Sequence, residues 1–202
     1  TAGSGRVPAA LNNIVGLKPT LGAISASGLV PACRTLDTIS IFALTVEDAH
    51  AVLETVTAPD PRDAYSRAVD VAPLTPLPET FRVGIPDAAT IEFFGDTIQQ
   101  ASYTADIQRL ESAGAELVPL DFTPFHDIAR LLYEGAWVAE RHAVIEELLT
   151  TDPESILSVT RQIIAVAETQ SATDAFRGIY RLKELRAITD PMVASVDLLC
   201  VP

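Results

Sequence analysis

A strand, a helix and a second strand follow one another in residues 81–120, and this succession constrains the fold most. The apolar run Phe81–Pro86 predicts the first strand. Apolar positions recur at helical spacing over 96–113, Gly114 follows as a helix stop, and 116–120 predicts the second strand. Such a unit implies parallel strands joined by a right-handed crossover. The chain is therefore predicted to be an α/β protein.

The rest of the chain predicts helices and short strands around that unit. A helix over 46–56 begins behind Thr45 as its N-cap, with Asp48 at the third helical position. Residues 57–80 hold five of the 14 prolines and predict a long connection with little regular structure. We expect an α/β fold whose mixed, largely buried sheet is flanked by helices. Further predicted elements are strands at 28–31, 38–42 and 197–201, and helices over 122–195 with breaks near Gly135, Asp152-Pro153 and 171–173.

The charge of the chain argues against several classes of partner. Asp and Glu number 27 against 14 Lys and Arg, which gives a formal net charge of −13. Because this charge repels phosphate, neither nucleic acid nor an anionic membrane is expected as a partner. No apolar run is long enough to span a bilayer. Two widely separated cysteines do not suggest a disulfide scaffold, so a cytoplasmic location is expected.

The chain is interpreted as a piece of one domain. Its 202 residues suit a single domain or part of a larger one. It opens without Met on a small-residue stretch and ends on a predicted strand at Pro202. We therefore expect residues 1–202 to be a central fragment.

The segment 1–20 is the most informative one for chemistry. Ala2 and Gly3 precede Ser4, and backbone N–H groups in such a stretch can converge on one cavity and stabilise an oxyanion. Ser4 is then a candidate nucleophile, and the alternative is that it is only a helix N-cap. The three histidines and two cysteines lack metal-ligand spacing, so neither a metal nor another cofactor is expected.

Residues 1–49 resemble the amidase signature family. Around its nucleophile that family has the pattern Asp-Thr-Gly-Gly-Ser-x-Arg-x-Pro-Ala, followed by Val-Gly-Leu-Lys-Pro-Thr. Residues 1–9 and 15–20 match this pattern, with Ala2 in place of the first Gly. The resemblance continues in the family's order through 28–31, 35–37 and 45–49.

This resemblance implies amide hydrolysis by a Ser–cis-Ser–Lys triad. Ser4 is the implied acylating nucleophile. The bridging Ser and the Lys precede these residues in the family, so the N-terminal part of the domain, like its C-terminal part, is expected to be absent and the isolated chain inactive. The implied oxyanion hole consists of the backbone N–H groups of Thr1, Ala2, Gly3 and Ser4. Three charged residues of the matching motifs are expected to be structural instead, namely Arg6, Lys18 and Asp37.

A second segment, 131–142, resembles the allophanate hydrolase subgroup of that family. The shared pattern is Tyr-Glu-Gly-x-Trp-Val-Ala-Glu-Arg, and its Tyr and Arg, here Tyr133 and Arg141, are implied to bind a small anionic substrate. At about 100° per residue these two and Trp137 share one side of a helix, provided that Gly135 does not break it. The alternative is a core aromatic pair with a solvated arginine.

The resemblance therefore implies a hydrolase that cleaves a C–N bond of allophanate toward ammonia and carbon dioxide, in the nitrogen metabolism of urea or s-triazines. The first alternative is a general amidase or the glutamine-hydrolysing A subunit of an amidotransferase. The second is a non-catalytic module that serves as an assembly surface. The expected partners are a small anionic amide and a second copy of the full-length protein.

Overall fold

A computed structural model describes residues 4–202. Helices and a parallel sheet are both present, so the predicted α/β class is confirmed. Within the described residues, no helix is long and apolar enough to cross a membrane. The regular elements are, in chain order, α1 (Val7–Leu11), β1 (Val15–Leu17), β2 (Ile41–Ala43), α2 (Val46–Val56), β3 (Phe81–Pro86), α3 (Thr97–Ser112), β4 (Ala115–Leu120), α4 (Thr123–Glu134), α5 (Trp137–Thr151), α6 (Ser158–Ala165), α7 (Ala172–Ala194) and β5 (Leu198–Leu199).

The chain divides into two compact units. The first comprises the chain up to Thr75 together with Glu140–Leu157, and the second comprises Pro76–Ala139 together with Ser158–Pro202. Single-turn 3-10 helices occur at Pro153–Ser155 and Val166–Thr169.

The first unit contains an antiparallel pair of strands, β1 and β2, in which Gly16 lies opposite Phe42. Helix α2 begins as predicted, because the Thr45 side chain accepts a hydrogen bond from the backbone N–H of Asp48 at 3.1 Å. The predicted strand at 28–31 is wrong. The backbone there turns instead, with the N–H of Leu29 donating to the carbonyl of Ala26.

The long connection over 57–80 lacks helices and strands, as predicted. Side chains tie it to the preceding loop of the same unit. The hydroxyl of Ser25 donates to Asp60 at 2.9 Å, and the carboxylate of Asp63 accepts from the backbone N–H of Ala26 at 2.7 Å. These contacts, together with local hydrogen bonds such as the one from the backbone N–H of Tyr65 to the carboxylate of Asp63, hold a segment that has no regular structure.

The second unit contains the β-α-β arrangement that the sequence predicts. Its sheet has the order β4-β3-β5, and β3 runs parallel to both neighbours. Val83 at the centre of β3 is fully buried. Between β3 and β4, α3 begins behind Asp96, whose carboxylate accepts from two backbone N–H groups. It ends just before Gly114, which has the positive φ of +100° expected of a helix stop.

The helices that follow β4 break where the sequence predicts. Helix α4 ends before Gly135, which has an extended backbone with φ −100° and ψ −171°. Helix α7 begins at a capping box formed by Ser171 and Asp174. In the second unit α4 packs against α7, and the guanidinium of Arg181 reaches the carboxylate of Asp127 at 3.3 Å.

Candidate active site

Ser4, the predicted nucleophile, is exposed in the turn that precedes α1. The N-cap of α1 is Arg6, so the alternative that Ser4 is only a helix N-cap is wrong. The predicted oxyanion-hole residues Thr1, Ala2 and Gly3 lie outside the described residues.

The turn after Ser4 is closely packed at two glycines, Gly5 and Gly16. A Cβ added at Gly5 would lie 2.0 Å from the Ser40 hydroxyl oxygen. A Cβ added at Gly16 would lie 2.2 Å from the carbonyl oxygen of Gly5 and 2.6 Å from the Cβ of Ala9. Because a side chain at Gly16 would collide with the carbonyl oxygen of Gly5, β1 lies directly against the turn that carries Ser4.

Gly16→Ala is therefore expected to displace this turn. Its Cβ meets a backbone carbonyl of Gly5, which can yield only if the chain beside Ser4 moves. Since misplacement of a reacting group by about 1 Å can cost roughly 100-fold, we expect kcat of the full-length protein to fall by about that factor.

The matched control for this variant is Gly95→Ala. Gly95 has a φ of +83°, and nothing lies within 4 Å of its added Cβ. This substitution strains the backbone, at a cost of about 1–2 kcal/mol, without crowding the Ser4 turn. Melting temperature and kcat are measured for both variants. An unchanged kcat in Gly16→Ala, at native stability, would contradict the role of this contact.

Two charged residues of the matching motifs, Lys18 and Asp37, have structural partners. The ammonium group of Lys18 donates to the carbonyl of Pro19 at 2.6 Å. Burial, with a smaller effect of the Arg6 charge, lowers the pKa of Lys18. The carboxylate of Asp37 accepts from the backbone N–H groups of Ala32 and Cys33 at 2.9–3.1 Å, and so holds its own loop. These contacts agree with the structural role expected of Lys18 and Asp37.

Glu140 joins that loop to α5, a contact that the sequence analysis did not predict. Its carboxylate accepts from the backbone N–H of Thr35 at 2.6 Å and from the Thr35 hydroxyl at 2.7 Å. The Cys33 thiol donates to the same carboxylate at 3.0 Å. Burial, strengthened by this hydrogen bond, raises the pKa of Cys33 to about 12. The sequence offered one indication of this contact: Thr35 lies in a segment that matches the amidase signature family, and Glu140 lies in the segment that matches the allophanate hydrolase subgroup.

The predicted break near Gly135 is confirmed, so the single helix that Tyr133, Trp137 and Arg141 would otherwise share does not form, although Trp137 and Arg141 both lie in α5. Tyr133 lies in α4 and Arg141 in α5, because the extended backbone of Gly135 separates the two helices. Tyr133 belongs to the second unit and Arg141 to the first.

Each of these three side chains has a distinct setting within its own unit. Tyr133 is 51 % exposed, so it does not form a core aromatic pair. The Trp137 ring lies against α7, where a Cβ added at Gly178 would be 3.4 Å from it. Arg141 is half-buried, and its charge acts on the Cys33 thiol, opposing the rise in the pKa of that group.

No group of three or more His, Cys, Asp or Glu side chains that could hold a metal ion occurs among residues 4–202. In the same part of the chain both cysteines are free, Cys33 buried and Cys200 partly so.

The chain is similar to known proteins along its whole length. A urea amidolyase of Lachancea kluyveri is 43 % identical over 205 residues, which covers 100 % of this chain and 11 % of that protein. The structure of selenomethionine-substituted Kluyveromyces lactis allophanate hydrolase matches with a TM-score of 0.94 and 41 % identity, covering 100 % of this chain and 33 % of that one. The chain thus spans about a tenth of the first relative and a third of the second.

A third relative matches only part of the chain. The A subunit of a Synechococcus glutamyl-tRNA(Gln) amidotransferase is 37 % identical over 129 residues, which covers 62 % of this chain and 25 % of that protein.

The family model described as amidase matches residues 1–202. Because that match extends over every residue, the chain belongs to the amidase family.

Proposed function

We propose that residues 1–202 are the part of an allophanate hydrolase that carries the acylating serine. The observation that carries this proposal is the extent of the similarity. Urea amidolyase and allophanate hydrolase match the whole chain at 41–43 % identity, whereas the amidotransferase protein matches 62 % of it. The segment that contains Tyr133 and Arg141 is thus part of a continuous match.

In the proposed reaction Ser4 attacks the amide carbonyl carbon of the substrate. Its proton passes through the bridging Ser to the neutral Lys, both supplied by the rest of the domain. The negative charge on the carbonyl oxygen is stabilised by the backbone N–H groups of Thr1, Ala2, Gly3 and Ser4. The C–N bond then breaks, ammonia leaves with the returned proton, and water hydrolyses the acyl-enzyme.

Arg141 is proposed to bind the carboxylate of allophanate. A planar guanidinium can hold a carboxylate through two parallel hydrogen bonds. A local positive group is needed, because a chain with a formal net charge of −13 repels an anionic substrate. Ser4 and Arg141 belong to the same compact unit although they are far apart in sequence. Tyr133 keeps the role of a further hydrogen-bond donor to the substrate that the resemblance implies.

The test is ammonia release by the full-length protein from four substrates. Allophanate is compared with biuret, in which a neutral carbamoyl group replaces the carboxylate, and with malonamide and glutamine. We expect kcat/KM for allophanate to exceed that for biuret by about 100-fold, because a charged hydrogen bond contributes roughly 1.5–3 kcal/mol.

The other outcomes distinguish the alternatives. A preference for glutamine favours the glutamine-hydrolysing amidotransferase, and equal use of neutral amides favours a general amidase. If no amide is hydrolysed by the full-length protein, the non-catalytic alternative is favoured. The cytoplasmic location and the homodimer stay predictions.

A further inference from the structure

The carboxylate of Glu140 binds one loop through three donors. Both oxygens are occupied by Thr35, through its backbone N–H at 2.6 Å and its hydroxyl at 2.7 Å. The Cys33 thiol adds a third donor at 3.0 Å. Hydrogen bonds to an ionised acceptor are shorter and stronger than those between neutral groups, so this is a firm attachment. All these residues belong to the first unit.

The loop that Glu140 binds is itself rigidly held. The carboxylate of Asp37 accepts from the N–H groups of Ala32 and Cys33. The carbonyl of Cys33 accepts from the N–H groups of Leu36 and Asp37, both at 2.8 Å. The side chain of Asp37 and the carbonyl of Cys33 thus both hold the backbone of this loop. Glu140, in the first turn of α5, attaches the helix to it.

Arg141 directly follows Glu140 on α5, and its position depends on how that helix is placed. Adjacent helical residues differ by about 100° in direction and about 1.5 Å in height. Fixing the Glu140 side chain therefore fixes both the rotation of α5 and the point from which the Arg141 side chain departs. The Arg141 charge also acts on the Cys33 thiol, opposing the rise in the pKa of that group that burial causes.

We propose that Glu140 is a positioning residue, which sets the Arg141 guanidinium for the substrate carboxylate by anchoring α5 to Thr35 and Cys33. This inference rests on the proposed function, because it requires Arg141 to bind the anionic end of the substrate. Glu140 touches no reacting atom in this account and acts only through Arg141.

The thiol and hydroxyl donors to Glu140 keep their protons around neutral pH. Burial and the bond to Glu140 raise the pKa of Cys33 to about 12, so the thiol keeps its proton and remains a donor below that pH. Thr35 does not titrate.

The test compares Glu140→Ala with Glu140→Gln in the full-length protein. Alanine removes the acceptor of all three bonds, so KM for allophanate is expected to rise roughly 10- to 100-fold while kcat/KM for neutral biuret stays unchanged. Glutamine keeps one oxygen for the Thr35 N–H, and the Thr35 hydroxyl can turn to accept from the amide. We expect Glu140→Gln to stay within about threefold of the wild type, since these bonds persist.

Three further variants complete the experiment. Glu147→Ala removes an exposed carboxylate from the same helix and is the control. In an Arg141→Ala background, Glu140→Ala is expected to raise KM no further, because coupled residues are not additive. Thr35→Val removes only the hydroxyl donor, so it tests the anchor even if Glu140→Ala does not fold. Its expected effect on KM is about threefold, from one of three bonds.

Several results would overturn the inference. If KM for allophanate rises equally in Glu140→Gln and Glu140→Ala, the charge of Glu140 matters and its hydrogen bonds to Thr35 and Cys33 do not. Equal loss for biuret and allophanate means that Glu140 only supports the fold. If Arg141→Ala loses the preference for allophanate and Glu140→Ala does not, this inference alone fails. If Arg141→Ala keeps the preference, the proposed role of Arg141 fails and this inference with it. If the wild-type protein shows no preference for allophanate over biuret, the proposed function itself fails.

Discussion

Replacing Ser4 with alanine in the full-length protein is expected to lower kcat on the order of 10⁶-fold, as the loss of a triad nucleophile does. Without the hydroxyl no acyl-enzyme forms, so the two-step route through a covalent intermediate is closed. Binding does not depend on that hydroxyl, and KM or the Kd for allophanate is expected to change little.

The structure makes this variant easy to interpret. Ser4 is exposed, and the N-cap residue of α1 is Arg6. Ser112→Ala is the control, because Ser112 is an exposed residue of α3 whose hydroxyl donates to the Gln108 carbonyl of the same helix, at 2.8 Å. Ammonia release is measured together with melting temperature. Full activity in Ser4→Ala at native stability would disprove the mechanism proposed for this chain.

Arg141→Ala is expected to give the second largest effect, and to give it selectively. Losing a charge-assisted contact with a carboxylate costs about 1.5–3 kcal/mol, which corresponds to roughly 10- to 150-fold in KM for allophanate. Biuret has no carboxylate, so it makes no such contact with Arg141. Its kcat/KM is therefore expected to stay within about twofold of the wild-type value, because the carbonyl that reacts is the same.

Two further variants separate charge from geometry at this position. Arg141→Lys keeps the positive charge but cannot form the paired hydrogen bonds, so an intermediate KM is expected. Arg109→Ala removes the same charge from an exposed site on α3 and is the control for the electrostatic field of the whole protein. If Arg141→Ala raises KM equally for allophanate and biuret, Arg141 does not recognise the anion.

Local patterns predicted the β-α-β unit and its boundaries closely. Strand Phe81–Pro86 has the predicted bounds, and α2 starts behind Thr45 as its capping chemistry indicates. These elements depend on neighbours within a few positions, through period and cap, and such information is present in the sequence itself. The strand predicted at 28–31 does not form, because four apolar and small residues adopt a strand only when another strand pairs with them. That pairing is not encoded in the neighbouring residues.

For the candidate site too, local motifs identified the residues, whereas their arrangement depends on tertiary packing. The family motifs identified Ser4, Tyr133 and Arg141 as the residues to examine, and they directed attention to Gly135 as a possible break. Whether the chain continues as one helix through Gly135 depends on how the residues after it pack. The ring of Trp137 lies against α7 at Gly178, and that contact is between distant parts of the sequence.

The sequence alone therefore determined the α/β class, the amidase-signature motifs and the elements whose signals are local. The tertiary structure alone decided how β1 meets the Ser4 turn at Gly5 and Gly16, and that Glu140 binds Thr35. The physical reason is range. Periodicity and capping act over a few residues, whereas close backbone approach and a shared carboxylate join positions whose proximity exists only once the chain has folded.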